Sequence, residues 1–335
     1  MLNKQGFEKI EMNYKNIIVF LCFLSVSQKG FTQTETQKTT GYPDSAIVNR
    51  LLDSSKGKLS VDPSLAISLA EQAKDLSEKI NFERGKALSL KNIGLGYYYQ
   101  GKYPETLEYW NESLKIFEVL KDDLGVANLL NNIAAVYSDR GDDIKALEYS
   151  LQSLKIAEKI GDKLRILSAL NTIGSTYFNK NETKEKALEY LLRALPLCEE
   201  IGNTEAFGII SENIGEIYFE KDDNQKAVEY YEKSIKALGN SANSPFGYNG
   251  IGKVYLKEGN FDKALTYHNK ALAIAEKLDG KLHIVRSLNG IANVYLMKGD
   301  YASGIAYFNR ATKIAEEINA PTNLKDLYLD MANAY

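Results

Sequence analysis

Histidine and cysteine are scarce in this chain: among 335 residues there are two of each. His268 and His283 have no third ligand at metal spacing, and no His/Cys/Asp cluster has a metal-binding pattern. No Walker or G-x-S-x-G sequence occurs. Gly94-Leu-Gly96 lacks a third glycine and falls inside a helical pattern, so it is no phosphate loop. These absences exclude the usual enzymatic constellations. The expectation is a non-catalytic protein with no cofactor and no metal. The formal net charge of −3 offers no general field for nucleic acid. The longest apolar run, Ile17–Val26, has about ten residues, too few to span a bilayer as a helix.

Lys15 precedes that run and polar, small residues follow it, so residues 1–33 read as a secretory signal peptide. A buried helix or an uncleaved anchor is the alternative, and Met12 offers a second start. Removal of residues 1–33 takes away four lysines and two glutamates and leaves a net charge of −5. It also removes Cys22, so only Cys198 is left and no intrachain disulfide can form. Residues 34–45 form a polar linker without periodicity. The expected location is outside the cytoplasm, in the periplasm or on the surface of a bacterium. No membrane insertion is expected within 34–335.

What the chain has is a ladder. Tyr97, Tyr137, Tyr177, Tyr218, Tyr255, Tyr295 and Tyr335 are separated by 40, 40, 41, 37, 40 and 40 residues. Three residues before each stands Gly or Ala, and one before that Ile or Met. A fixed period of this length marks one supersecondary unit stacked many times. Each unit reads as two amphipathic helices. The first carries the Ile-Gly/Ala-x-x-Tyr signature. A turn column follows at Gly101, Gly141, Asn181, Asp222, Gly259 and Gly299, residues that tolerate positive φ at a helix end. The second helix carries small residues in fixed places, such as Ala146 and Ser153, and an aromatic at Trp110, Tyr231, His268 or Phe308. Small columns let backbones approach, and the large ring fills the space beside them. The ladder tyrosines are therefore assigned to the core.

This pattern resembles the tetratricopeptide repeat (TPR), quoted in its best unit as Ile251, Gly252, Tyr255, then Ala264, His268, Ala271. The usual unit has about 34 residues, and the longer one here is similar to the subclass of kinesin light chains and bacterial regulatory TPR proteins. The resemblance implies an all-α fold, a right-handed superhelical solenoid of stacked helix-turn-helix repeats. Residues 46–335 would hold about seven repeats and an incomplete last one, which suggests that the natural chain continues past Tyr335. The short 37-residue step contains Gly239, Asn240 and Ser244-Pro245, with Ser as N-cap and Pro at N1. A hinge is expected near 238–246.

In TPR proteins that resemble this one, the first helix lines the concave face. The columns beside the Ile-Gly pair give a polar ladder: Lys91 and Asn92, Asn131 and Asn132, Asn171 and Thr172, then Asn213, Asn249 and Asn289. Asparagine offers donors and an acceptor, so such a row can hold the amides of an extended peptide. It can equally bridge adjacent helices, and both readings stand. Tyr98 and Tyr99, with Phe178, Phe219 and Phe246, lie beside the ladder as candidate anchors. Glu216 and Glu220 share columns with Lys253 and Lys257 of the next unit, which predicts salt bridges between repeats. The carboxylate clamp of chaperone-tail-binding TPRs is disfavoured, because Leu95, Ser168 and Thr172 stand where Asn, Lys and Arg should be. The expected function is an exported scaffold holding a protein or peptide segment in its groove. The alternative is the extracytoplasmic sensory region of a longer signalling protein (a histidine kinase, cyclase or transcriptional regulator), with a membrane or output domain beyond Tyr335.

Overall fold

The structure is a computed structural model that describes residues 43–178 and 181–333. The expected signal peptide and most of the linker lie outside the described residues. Fifteen α-helices run in order among the described residues. They are α1 Pro43–Lys56, α2 Pro63–Lys79, α3 Glu83–Tyr99, α4 Tyr103–Val119, α5 Asp123–Asp139, α6 Asp143–Ile160, α7 Lys163–Phe178, α8 Lys184–Glu200, α9 Thr204–Glu220, α10 Asn224–Leu238, α11 Pro245–Lys257, α12 Phe261–Lys277, α13 Lys281–Met297, α14 Tyr301–Glu317 and α15 Pro321–Asn333.

The turn chemistry is local and repeats. The ladder tyrosine's carbonyl accepts a hydrogen bond from the residue five positions on: Asp142 N to Tyr137 O at 2.8 Å, Asp223 N to Tyr218 O at 2.9 Å and Asp300 N to Tyr295 O at 2.9 Å. This six-to-one bond closes the helix end in a Schellman manner, and the residue before the donor takes positive φ, as at Gly141 (74°) and Asp222 (61°). The same donor residue then caps the next helix. The Asp142, Asp223 and Asp300 side chains accept from Lys145, Lys226 and Ser303 N–H. One aspartate thus ends one helix and starts the next.

Odd helices pack against the even helix that follows, as α3 against α4, α5 against α6, α9 against α10 and α13 against α14. Odd helices also touch odd neighbours, as α5 touches α7 and α11 touches α13, and among the described residues no two even helices approach comparably. The odd helices therefore form the inner layer. The described residues divide into two compact units, 43–178 and 181–333. The segment 238–246 lies inside the second unit. There Ser244 does not cap α11: its hydroxyl donates back to the Ser241 carbonyl at 3.0 Å, and its backbone is already helical.

Glycines of the inner helices meet the large rings of the even helices. Trp110, Tyr231, His268 and Phe308 are all nearly fully buried. A Cβ on Gly94 would overlap the Trp110 indole, one on Gly252 would stand 2.6 Å from His268, and one on Gly215 2.9 Å from Tyr231. The ladder tyrosines differ from expectation. Those among the described residues, Tyr97 to Tyr295, are half-buried rather than core. Tyr97, Tyr137, Tyr255 and Tyr295 each pack a tyrosine of the following even helix, Tyr109, Tyr149, Tyr267 and Tyr307, with centroids 5.5 Å apart. Lys145 lies over the Tyr137 ring at 4.9 Å and Lys263 over Tyr255 at 4.7 Å. The ring closes the edge of each helix pair, and the true core is the Gly–aromatic contact.

Candidate functional site

On the inner layer two registers matter, six and five residues before each ladder tyrosine. The fifth-before position reaches back: Asn92 Nδ2 on α3 donates to the Leu52 carbonyl on α1 at 3.2 Å. The sixth-before position reaches forward. Asn249 on α11 donates to Ser287 Oγ on α13 at 3.0 Å and pairs its Oδ1 with His268 Nδ1 at 2.9 Å. Asn289 on α13 donates to Asp330 on α15 at 2.9 Å, joined by Asn293 at 3.2 Å. Asn92, Asn249 and Asn289 therefore bridge inner helices.

Asn131, Asn132 and Asn171 do not. They are 3, 6 and 5% exposed, and each has a buried Oδ1 without a hydrogen-bond partner. The register explains this for Asn131. On α6, Ser150 stands thirteen residues after the ladder tyrosine, where α12 offers His268 Nδ1 to the Asn249 oxygen, and it donates instead to the Ala146 carbonyl at 2.7 Å. Thr172, which could also answer, donates instead to the Ser168 carbonyl at 3.1 Å. Ser175 Oγ, beside them on α7, is likewise unpartnered. The inner face of α5 and α7 thus carries three carboxamide acceptors and several hydroxyls and no charged residue in these registers. An unmet buried acceptor costs roughly 1–3 kcal/mol, which an incoming N–H donor would recover.

The remaining candidates are placed as follows. Lys91 is buried, and its carbonyl accepts from Trp110 Nε1 at 2.9 Å. The Tyr98 ring stacks on Trp110 at 5.9 Å and its hydroxyl donates to Asp139; burial, then Asp139, hold the phenol well above its ordinary range. Tyr99 is half-buried, edge-on to Tyr98 at 6.5 Å, its phenol pushed up to about 12 by burial. Asn213 is buried on α9.

The inner face of 181–333 is charged. Tyr231 donates to Glu216 at 2.6 Å, and Lys253 reaches the same carboxylate at 3.1 Å. Burial opposes ionisation of Glu216, but Lys253, Tyr231 and Arg286 together hold its carboxyl below the usual range. The other predicted bridge is corrected: Lys257 pairs with Asp222 at the turn, and Glu220 pairs with Lys184 of α8. His268 sits between Gly252 and Gly290 with its Nε2 unpartnered, and burial, then Lys253, lowers it to about 3. Among the described residues no group of His, Cys, Asp and Glu could hold a metal, and no helix is long and apolar enough to cross a membrane.

A tetratricopeptide-repeat model matches residues 83–159, 125–200, 165–239 and 246–317, well over half of the chain. The chain belongs to the tetratricopeptide-repeat family. No curated protein matches the sequence. Among solved structures, this TPR chain is similar to a Signal Transduction ATPase with Numerous Domains carrying a tetratricopeptide repeat sensor, from Pyrococcus horikoshii. The identity is 17%, the match covers 89% of this chain and 50% of that one, and the TM-score is 0.62. The TPR chain thus spans half the length of that protein. The apo form of RapI is 18% identical over 81% of this chain and 98% of its own, at TM-score 0.61. A Rap protein complexed with Competence and Sporulation Factor is 16% identical over 96 and 95%, at TM-score 0.55. At these identities the likeness is one of fold.

Sequence reasoning saw the asparagine row but not its division. It also missed the second tyrosine column, Tyr109, Tyr149, Tyr230, Tyr267 and Tyr307, which a twelve-residue spacing from the first column would have shown.

Proposed function

We propose that this TPR protein is a non-catalytic scaffold that holds an extended peptide or protein segment against α5 and α7. The observation that carries the reading is the set of unpartnered acceptors on Asn131, Asn132 and Asn171. Carboxamides and hydroxyls without charge suit backbone amides, whose N–H groups are the donors these oxygens lack. A related fold, the Rap protein, is known in complex with Competence and Sporulation Factor. The test is nuclear magnetic resonance on the full chain with octapeptides affinity-selected from a random library. The Asn131, Asn132 and Asn171 carboxamide signals should shift on binding. Shifts confined to α-helices outside α5 and α7 would refute the placement.

Export is part of the proposal, motivated by residues 15–33. Mass spectrometry of the mature amino terminus should find it near 30–34; a protein starting at Met1 or Met12 would refute export by cleavage. The sensor in the ATPase, of which the matched part is half, favours a second reading: the sensory region of a longer signalling protein. A reading frame that stops soon after Tyr335 would rule this out.

A further inference from the structure

The outward face of the even helices changes sign along the chain. Three positions on each lie four before, one before and three after its tyrosine of the second column. On α4 they hold Glu105, Glu108 and Glu112. On α12 they hold Lys263, Thr266 and Lys270. The next even helix, α14, adds Arg310 in the last of these positions and Lys313 one turn on. All of these are exposed except Glu105, which is half-buried. A charge run on a helix surface is ordinarily a solvated face. But α4 and α12 close the same ring pair, with centroids 5.5 Å apart in both. The fold therefore requires neither sign at these positions.

The cations of α12 and α14 are held in place. Lys263 lies over the Tyr255 ring at 4.7 Å and Lys270 over Tyr267 at 5.3 Å. Arg310 of α14 bonds Glu276 of α12 at 2.6 Å, which sets the two faces side by side. Between the two lysines there is no acid. Thr266 and Asn269 donate to their own helix, to the Asp262 and Leu265 carbonyls, both at 2.8 Å. An ammonium already fixed on a ring loses less freedom when it meets a carboxylate. On α4, likewise, no cation stands between Glu105 and Glu112. The lysine pair and the glutamate pair are both seven residues apart, about 10.5 Å along a helix. The two faces thus match in spacing and oppose in charge.

We propose that the outward face of α12 and α14 docks the α4 face of a second copy of this chain. Lys263 and Lys270 meet Glu105 and Glu112, and Arg310 and Lys313 flank the contact. Each copy contributes one compact unit, 181–333 from one and 43–178 from the other. The contact is heterologous, since the two patches differ. It is independent of the peptide-binding reading. Exposed ion pairs are individually weak and screened by salt, so the association is reversible and strongest at low ionic strength.

Sedimentation equilibrium of the full chain tests this. The mean mass should rise with protein concentration at about 0.01 M salt and fall towards that of a single chain at about 1 M. Lys263→Glu/Lys270→Glu and Glu105→Lys/Glu112→Lys should each weaken association roughly tenfold or more, with unchanged helix content by circular dichroism. An equimolar mixture of the two variants should associate again, because the α4 face of the first still fits the α12 face of the second. A wild-type chain that stays monomeric at low salt, association indifferent to both variants, or a mixture that stays apart would each overturn the inference. So would polyglutamate bound by a chain that never self-associates, which would assign the basic face to a different acidic partner.

Discussion

An asparagine buried on a helix face must place two donors and an acceptor, and along this chain its success varies from helix to helix. Asn249 satisfies Ser287 and His268 together. Asn131, in the same register, has Ser150 in the His268 column, which donates to its own helix, and its oxygen is left unpaired. The two residues should therefore respond differently to truncation. Asn249→Ala strands the buried His268 Nδ1 and should cost roughly 1–3 kcal/mol. Asn131→Ala removes an unmet acceptor and should stay within about 1 kcal/mol of wild type. Urea denaturation measures both, and equal losses would contradict the division. Glu212→Gln should stabilise the chain at neutral pH by roughly 1–3 kcal/mol, because burial raises the Glu212 carboxyl and folding at that pH opposes its ionisation. A destabilised variant would show that the carboxylate has a partner in the free protein.

At the scale of the helix and turn, positive φ recurs at both kinds of connection. Most of these positions are Gly, but Lys121 adopts φ 54° where the following repeats use Gly161 and Gly202. A lysine there bears the left-handed penalty, so Lys121→Gly should raise stability by about 1 kcal/mol. An unchanged melting transition would count against strain at that turn. These connections were legible in the sequence because a turn's chemistry lies within five residues of itself: Asp142 both closes α5 and caps α6. The helix pairs and the Gly–aromatic columns were legible for the same reason, since a forty-residue period displays each column several times over. The bond partners of the asparagines were not. Leu52 O, Ser287 Oγ and Asp330 lie on other helices, and nothing in the row Asn92, Asn131, Asn249 tells which will meet a partner. Likewise the columns foretold Lys253 with Glu216, but Lys257 turned to Asp222, which the turn sets beside it.

At the scale of the molecule, both histidines fall in the 181–333 unit, and the single tryptophan falls in 43–178. Burial lowers His268 to about 3 and His283 to about 4 from an ordinary 6.5. Their contribution to stability is present above pH 6.5 and is lost as pH falls towards those values. Glu212 acts in the opposite sense, its raised carboxyl favouring the fold at lower pH, but it returns at most one proton against two. Between pH 6.5 and 4.5 the second unit should thus lose about 1.4 kcal/mol per pH unit. Urea transitions followed by Trp110 fluorescence and by circular dichroism should separate as pH falls, with fluorescence the later. Transitions that move together would contradict this.

The central claim is that unpartnered asparagines bind and bridging ones hold the fold. Calorimetric titration of one affinity-selected octapeptide against two triple variants decides it. Asn131→Ala/Asn132→Ala/Asn171→Ala should weaken binding at least tenfold with helix content unchanged, whereas Asn92→Ala/Asn249→Ala/Asn289→Ala should lose stability. Full affinity in the first variant, or its unfolding, would contradict the account.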